Sequence, residues 1–99
     1  MAGESSMERS LRTWCKARGI ECLKLRPVVF GAGFPDRTIL IPGGIILFME
    51  TKTAVGTVRD KQKWWIAHLQ KLGFKAVVCR SLEEAKNAVT KLSTGGETV

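Results

Sequence analysis

The segment GFPDRTILIPGGIILFMETK, residues 33 to 52, constrains the fold more than any other part of the chain. Its second half, Ile45 to Met49, is apolar at every position. A strand of that kind must be buried on both faces, which predicts a central strand covered by helices. Between DRTILI and IILFMETK stands PGG, a hairpin signal. With Pro42-Gly43-Gly44 as the loop, Ile41 faces Ile45, and counting outward sets Asp36 opposite Glu50. Directly opposed side chains share a face, with Cβ atoms roughly 4.5–5.5 Å apart. The period of two adds Lys52 to that face. A loop of even length would put the two carboxylates on opposite faces, unless a bulge restored the pairing.

The flanking sequence supplies the helices. SSMERSLRTWCKARG carries Met7, Leu11, Trp14 and Cys15 at helical spacing, with Gly19 as its stop. IECLKLRPVVF then reads as a short β run closed by Pro27, followed by the bend GAG. TVRDKQKWWIAHLQKLG is a second helix, with Thr57 as the expected N-cap, Gly73 as its end, and Val58, Trp65, Leu69 and Leu72 on its buried face. FKAVVC is a strand, and SLEEAKNAVTKL is a helix opened by a Ser81-x-x-Glu84 capping box. Its apolar stripe is Leu82, Ala85, Val89 and Leu92. The order is αβββαβα, which predicts one α/β domain over residues 1–99 with a mixed central sheet flanked by helices. Its core is expected over about 5–92, with 93–99 as a frayed tail.

Charge narrows the partners. Sixteen Lys and Arg stand against 9 Asp and Glu, a net charge of +7 on 99 residues. Such an excess favours polyanions, above all nucleic acid. Cys15, Cys22 and Cys79 show neither C-x-x-C nor Cys/His ligand spacing, which argues against structural zinc and a disulfide framework and for reduced thiols in the cytoplasm. No segment approaches membrane-spanning length, and no membrane partner or small-molecule cofactor is expected.

Two carboxylates held face to face resist ionising together unless something positive sits between them. A divalent cation answers that need: Mg²⁺ takes carboxylate oxygens, keeps several waters and is completed by substrate phosphate. Lys52 adds a charge able to orient a water or stabilise charge developing on a phosphate. The bland alternative is a salt-bridged Asp–Lys–Glu cluster that only stabilises the hairpin end. Gln62 shares a helical face with Val58, Trp65, Ile66 and Leu69, which points its amide toward the sheet.

Gly33-Phe34-Pro35-Asp36, then Glu50-Thr51-Lys52, then Gln62 and Trp65 on the following helix resemble the PD-(D/E)XK nucleases. More narrowly, they are similar to the virus-type replication-repair nuclease (VRR-NUC) domain in its minimal stand-alone form from phages and bacteria. The resemblance runs from about Met7 to Leu92. It implies a restriction-endonuclease-like fold and a Mg²⁺- or Mn²⁺-dependent DNA endonuclease. Asp36 and Glu50 would be metal ligands together with the Thr51 backbone carbonyl, Lys52 would position the attacking water, and Gln62 would support the site or contact a phosphate.

Glu8 would be a further metal ligand from the first helix, but Ser5-x-x-Glu8 also reads as a capping box, and both readings are open. Lys24 is a candidate for the scissile phosphate, or equally a solvated edge lysine, while Arg37, Arg59, Lys61 and Lys63 are candidates for other phosphates. The resemblance also implies a homodimer acting on branched DNA such as four-way (Holliday) junctions, in DNA repair. A rival reading is a weak or inactive DNA-binding module on a nuclease-like scaffold. His68 is expected to face solvent, and Trp64, adjacent to the core Trp65 and off its helix face, to serve a dimer contact or base stacking.

Overall fold

The computed structural model describes residues 4–25 and 32–95. Its elements follow the expected order: α1 (Ser6–Lys16), β1 (Glu21–Leu23), β2 (Arg37–Ile41), β3 (Ile45–Thr51), α2 (Asp60–Lys71), β4 (Lys75–Cys79) and α3 (Leu82–Gly95). The strands form one sheet in the order β1-β2-β3-β4. β1 to β3 are antiparallel neighbours, and β4 joins β3 in parallel through the crossover helix α2. The sheet is therefore mixed, as the sequence predicts.

The hairpin register is the one that the three-residue loop requires. Ile41 pairs with Ile45 and Arg37 with Met49. Gly43 (φ 100°) and Gly44 (φ 79°) both take the left-handed conformation that the turn needs. On one face of the sheet, Ile39, Ile41, Leu47, Met49 and Cys79 pack under α1 and α3, whose Leu11, Cys15, Ala85 and Val89 complete the core. Full burial of each larger aliphatic side chain contributes about 1.5–3 kcal/mol, so the strand that carries Glu50 is firmly seated.

The other face is covered less completely than an apolar strand suggests. α2 packs over β4, which leaves Ile46 and its cross-strand partner Leu40 half-exposed. Phe34, Phe48, Trp65 and Phe74 instead form a chain of edge-to-face rings there, with centroids 4.9–5.7 Å apart.

Several local expectations change. The N-cap of α2 is Arg59, not Thr57, because Gln62 Oε1 accepts the Arg59 N–H at 2.8 Å and fills the capping role from within the helix. Leu72 is the C-cap and is 60 % exposed, so it is not part of the buried face. Ser81 caps α3 through the Glu84 N–H, but Glu84 reaches the Arg80 N–H rather than that of Ser81. α3 continues through Ser93, whose hydroxyl bonds the Val89 carbonyl, to Gly95, and so extends into the segment expected to fray. Pro27 with the remainder of the first β run beyond Leu25, the start of the GAG bend, and residues 96–99 lie outside the described residues.

Candidate functional site

Each residue of GFPD has a separate task. Gly33 has φ 96°, and a Cβ placed there would lie 2.7 Å from the backbone carbon and the Cβ of Lys61. Only glycine lets the chain touch the first turn of α2. Phe34 then inserts against Phe48 and Trp65, Pro35 is fully buried, and Asp36 emerges at the bend that enters β2. The contact at Gly33 thus sets the distance between Asp36 and the helix that carries Gln62. Gly33→Ala is expected to cost about 2–3 kcal/mol in urea unfolding and to lower any cleavage activity by pushing α2 away. Gly19→Ala is the control: its φ is 71° with nothing within 4 Å, so it should cost only about 1 kcal/mol and leave activity alone. Equal effects of the two substitutions would refute the spacing role.

Asp36 caps the end of β3. Its Oδ1 accepts the Thr51 N–H at 2.9 Å and its Oδ2 accepts the Thr51 hydroxyl at 2.6 Å. Burial raises its pKa, against the lowering effect of those two bonds. Its own backbone N–H is directed to the Glu50 carboxylate. The register places the two acids at the same level, as expected, but the Asp36 side chain closes on Thr51, one residue beyond its cross-strand neighbour.

Glu50 is 6 % exposed. Gln62 Nε2 donates to its Oε2 at 3.1 Å, and Lys52 Nζ lies 3.8 Å from the same oxygen. Burial first, and the charge of Asp36 second, push its pKa up to about 7, with Lys52 only partly offsetting them. Gln62 therefore joins the α2 N-terminus to Glu50 with both ends of its amide, pointing inward as its position on the helix suggests. The loop after β3 is held by Arg80, whose Nη1 donates to the Thr53 and Gly56 carbonyls at 2.9 and 2.6 Å. A Cβ at Gly56 would lie 3.0 Å from the Thr53 hydroxyl and 3.7 Å from Cδ of Lys52.

The donor set here is hard oxygen from carboxylates that lack full charge compensation, which fits a divalent cation of the Mg²⁺ type. Both Asp36 oxygens already accept a hydrogen bond, but a carboxylate offers about four lone-pair directions, so capacity remains. Among the described residues, no group of three or more His, Cys, Asp or Glu side chains is gathered closely enough to hold an ion. A cation would thus rest on Asp36, Glu50, a main-chain carbonyl such as that of Thr51, and oxygens from outside the protein.

Glu8 has other partners. Both bonds of the capping box with Ser5 form, at 3.2 and 3.1 Å. Its Oε1 receives Arg37 at 3.3 and 3.0 Å, with Lys24 Nζ at 3.7 Å. Lys24 remains half-exposed beside it. Arg37 must leave the expected set of phosphate contacts: it is 1 % exposed and bound to Glu8 and, at 2.6 Å, to Glu4. Arg59, Lys61 and Lys63 are exposed around the start of α2 and stay available.

The sequence reading missed three contributors: Glu4, the Thr51 hydroxyl and Arg80. Alternation along RTILI carried a usable signal for the first, since Arg37 shares its face with Ile39 and Ile41 and so needs a buried partner. A cleft of about 390 Å³ opens beside the site, lined by Glu8, Thr51, Lys52 and Arg80 among others. A larger one, about 620 Å³, lies at the far end of the hairpin by Trp14, Pro42 and Ile45, away from the carboxylates.

Comparison with known proteins bears on most of the chain. The sequence pattern of the VRR-NUC domain matches residues 3–83. A solved VRR-NUC domain structure superposes with a TM-score of 0.75 at 21% sequence identity, over 85% of this chain and 90% of that one. No curated protein matches the sequence.

Proposed function

Because the chain belongs to the VRR-NUC family of nuclease domains, we propose that it is a metal-dependent endonuclease that hydrolyses phosphodiester bonds in DNA, with branched DNA as its substrate. The observation that carries this reading is the pair of acids, half-buried Asp36 and buried Glu50, beside Lys52 at the open end of the hairpin, with the Glu50 pKa pushed up to about 7 by burial and by its fellow acid. Two acids kept together where water would serve them better are a cost to the fold, and a site for Mg²⁺ or Mn²⁺ explains it. When bound, such an ion supplies charge for the scissile phosphate and lowers the pKa of water.

The protein's own residues do the rest. Thr51 fixes the Asp36 carboxylate through two hydrogen bonds. Gln62 fixes Glu50 and keeps its Oε2 from rotating. Lys52, held by the loop that Arg80 closes, points its ammonium toward Glu50 and can orient the attacking water or take up charge as the bond to the leaving oxygen breaks. Arg59, Lys61 and Lys63 would grip flanking phosphates. For a four-way junction, a homodimer would deliver the paired cuts, and the uncovered Leu40–Ile46 patch is an apolar surface for a second copy. The buried thiols Cys15, Cys22 and Cys79 suit the reducing cytoplasm. Among the described residues, no helix is long and apolar enough to cross a membrane.

The test is cleavage of labelled duplex, single-stranded and four-way-junction DNA with Mg²⁺, Mn²⁺ or EDTA. Asp36→Ala is expected to abolish cutting, and Lys52→Ala to slow it by roughly 10²–10⁴. Cutting that survives EDTA, or both substitutions, would sink the mechanism. Binding without cutting by the folded wild type would favour a DNA-binding module instead. Sedimentation that finds a monomer at micromolar concentration would remove the homodimer.

A further inference from the structure

We propose that the stacked pair Trp64–His68 on α2 is a binding platform for an unpaired nucleobase of the substrate, next to the cleavage site. The inference rests on the reading above that the chain acts on DNA. It begins with an exposed aromatic group. Trp64 is 55 % exposed, and its ring lies parallel to that of His68, with centroids 4.6 Å apart and planes 17° apart. His68, expected to face solvent, is half-buried beneath that ring.

The surroundings identify the ligand. Lys61, Trp64, His68 and Lys71 succeed one another at helical spacing, so the aromatic pair is bracketed by a lysine at each end of one stripe. Both lysines are exposed. A flat π surface between cations fits a base with its flanking phosphates, since every base has a stackable face. A second copy of the chain fits poorly. A twofold contact through this stripe would lay lysines against lysines in a protein already carrying +7.

Position links the platform to the chemistry. Trp64 meets Trp65 at 5.1 Å, Trp65 meets Phe34 at 4.9 Å, and Phe34 precedes Pro35-Asp36 in the chain. A base lifted from the duplex at a branch point would therefore be held beside the catalytic end of the sheet, and a fully paired duplex would offer none. The platform would act as a specificity element for unpaired DNA.

The experiment is binding in EDTA, which separates recognition from cleavage. Anisotropy would compare labelled duplex bearing a single-stranded flap with fully paired duplex of equal length, over a range of salt. Trp64→Ala is expected to weaken flap binding on the order of tenfold, to change duplex binding less than about twofold, and to leave the salt slope unaltered because no phosphate contact is lost. Trp64→Phe should keep most of the affinity for the flap. If Trp64→Ala fails to fold, Trp64→Leu, which fills space without a π face, makes the same comparison.

Wild-type affinity of Trp64→Ala (or of Trp64→Leu in its place) for the flap would overturn the proposal. So would an equal loss on both DNAs accompanied by a fall in sedimented mass, which would mark the stripe as a contact between copies. A wild type that binds no DNA at all would defeat the functional reading with it, whereas a wild type that binds while the ring is irrelevant defeats only the platform.

Discussion

Glu50→Gln should make the metal-free protein more stable at pH 8 while it destroys cleavage. The Glu50 pKa stands at about 7 in the fold, against an ordinary 4.5, because of burial first and the neighbouring Asp36 charge second. A group whose pKa rises on folding contributes stability that is fully present below the unfolded value and lost as pH rises through the folded one. In EDTA, wild-type stability should therefore decline between about pH 4.5 and 7. At about 1.4 kcal/mol per pH unit the shift corresponds to roughly 3 kcal/mol, and residual hydration brings the expected gain in the glutamine variant to about 2 kcal/mol.

For a domain of this size that is a rise in Tm on the order of 10 °C. The decline between pH 4.5 and 7 should flatten in the variant. Mg²⁺ or Mn²⁺ should raise the wild-type Tm above pH 7 by mass action and should leave that of Glu50→Gln nearly unmoved. Unfolding curves at four pH values, with and without the ion, decide the matter. A variant less stable than wild type at pH 8 would mean that the charge of Glu50 is well compensated and that the site needs no cation.

Replacing Arg37 by methionine should produce the largest loss of stability. Its guanidinium is 1 % exposed and bonded to both Glu4 and Glu8. Burial alone would lower its pKa, but those two carboxylates outweigh it and raise the value. Removing Arg37 leaves Glu4 with Arg12 and Glu8 with Lys24 at 3.7 Å, and breaking a fully buried pair costs about 3–5 kcal/mol. The acids keep some contact with solvent, at 19% and 11% side-chain exposure, so about 3 kcal/mol is expected.

The pH dependence has the opposite sign from that of Glu50. Arg12 above all, with Arg37, holds Glu4 at about 2. Glu8 is also lowered: burial pushes it up, but the Ser5 N–H and Arg37 prevail. Depressed carboxylates contribute stability above about pH 4.5 and lose it as pH falls toward 2. Acid sensitivity in that range should weaken in Arg37→Met. The salt slope of DNA binding by the variant, measured below its Tm, should match the wild type, whereas Lys63→Ala should reduce the slope by about 1 if Lys63 meets a phosphate. A reduced slope in Arg37→Met at full stability would return Arg37 to the DNA surface.

These two residues show how far the chain could be read without its fold. The length of PGG sets Asp36 and Glu50 together, because loop length and a period of two are local properties and set a register on their own. Arg37, one position along, turns inward instead of toward a phosphate, as its alternation with Ile39 and Ile41 requires. Its positive charge suggests a phosphate, but its partners, Glu4 just ahead of α1 and Glu8 on α1, sit 33 and 29 residues away. The α2 cap moved for a similar reason: Gln62 serves Arg59 and Glu50 at once, and its link to Glu50 exists only after α2 packs on the sheet.

The sequence alone determined the order of elements, the hairpin register and the polar cluster at its open end, since each follows from periodicity, turn chemistry and steric limits acting over a few residues. The tertiary structure decided which charges are consumed inside the fold and which remain for a substrate. Arg37 and Glu8 neutralise each other, Asp36 turns onto Thr51, and Glu50 stays short of compensating charge. Pairing and desolvation depend on distance and burial through space, and the packing of α1 and α2 against the sheet sets both.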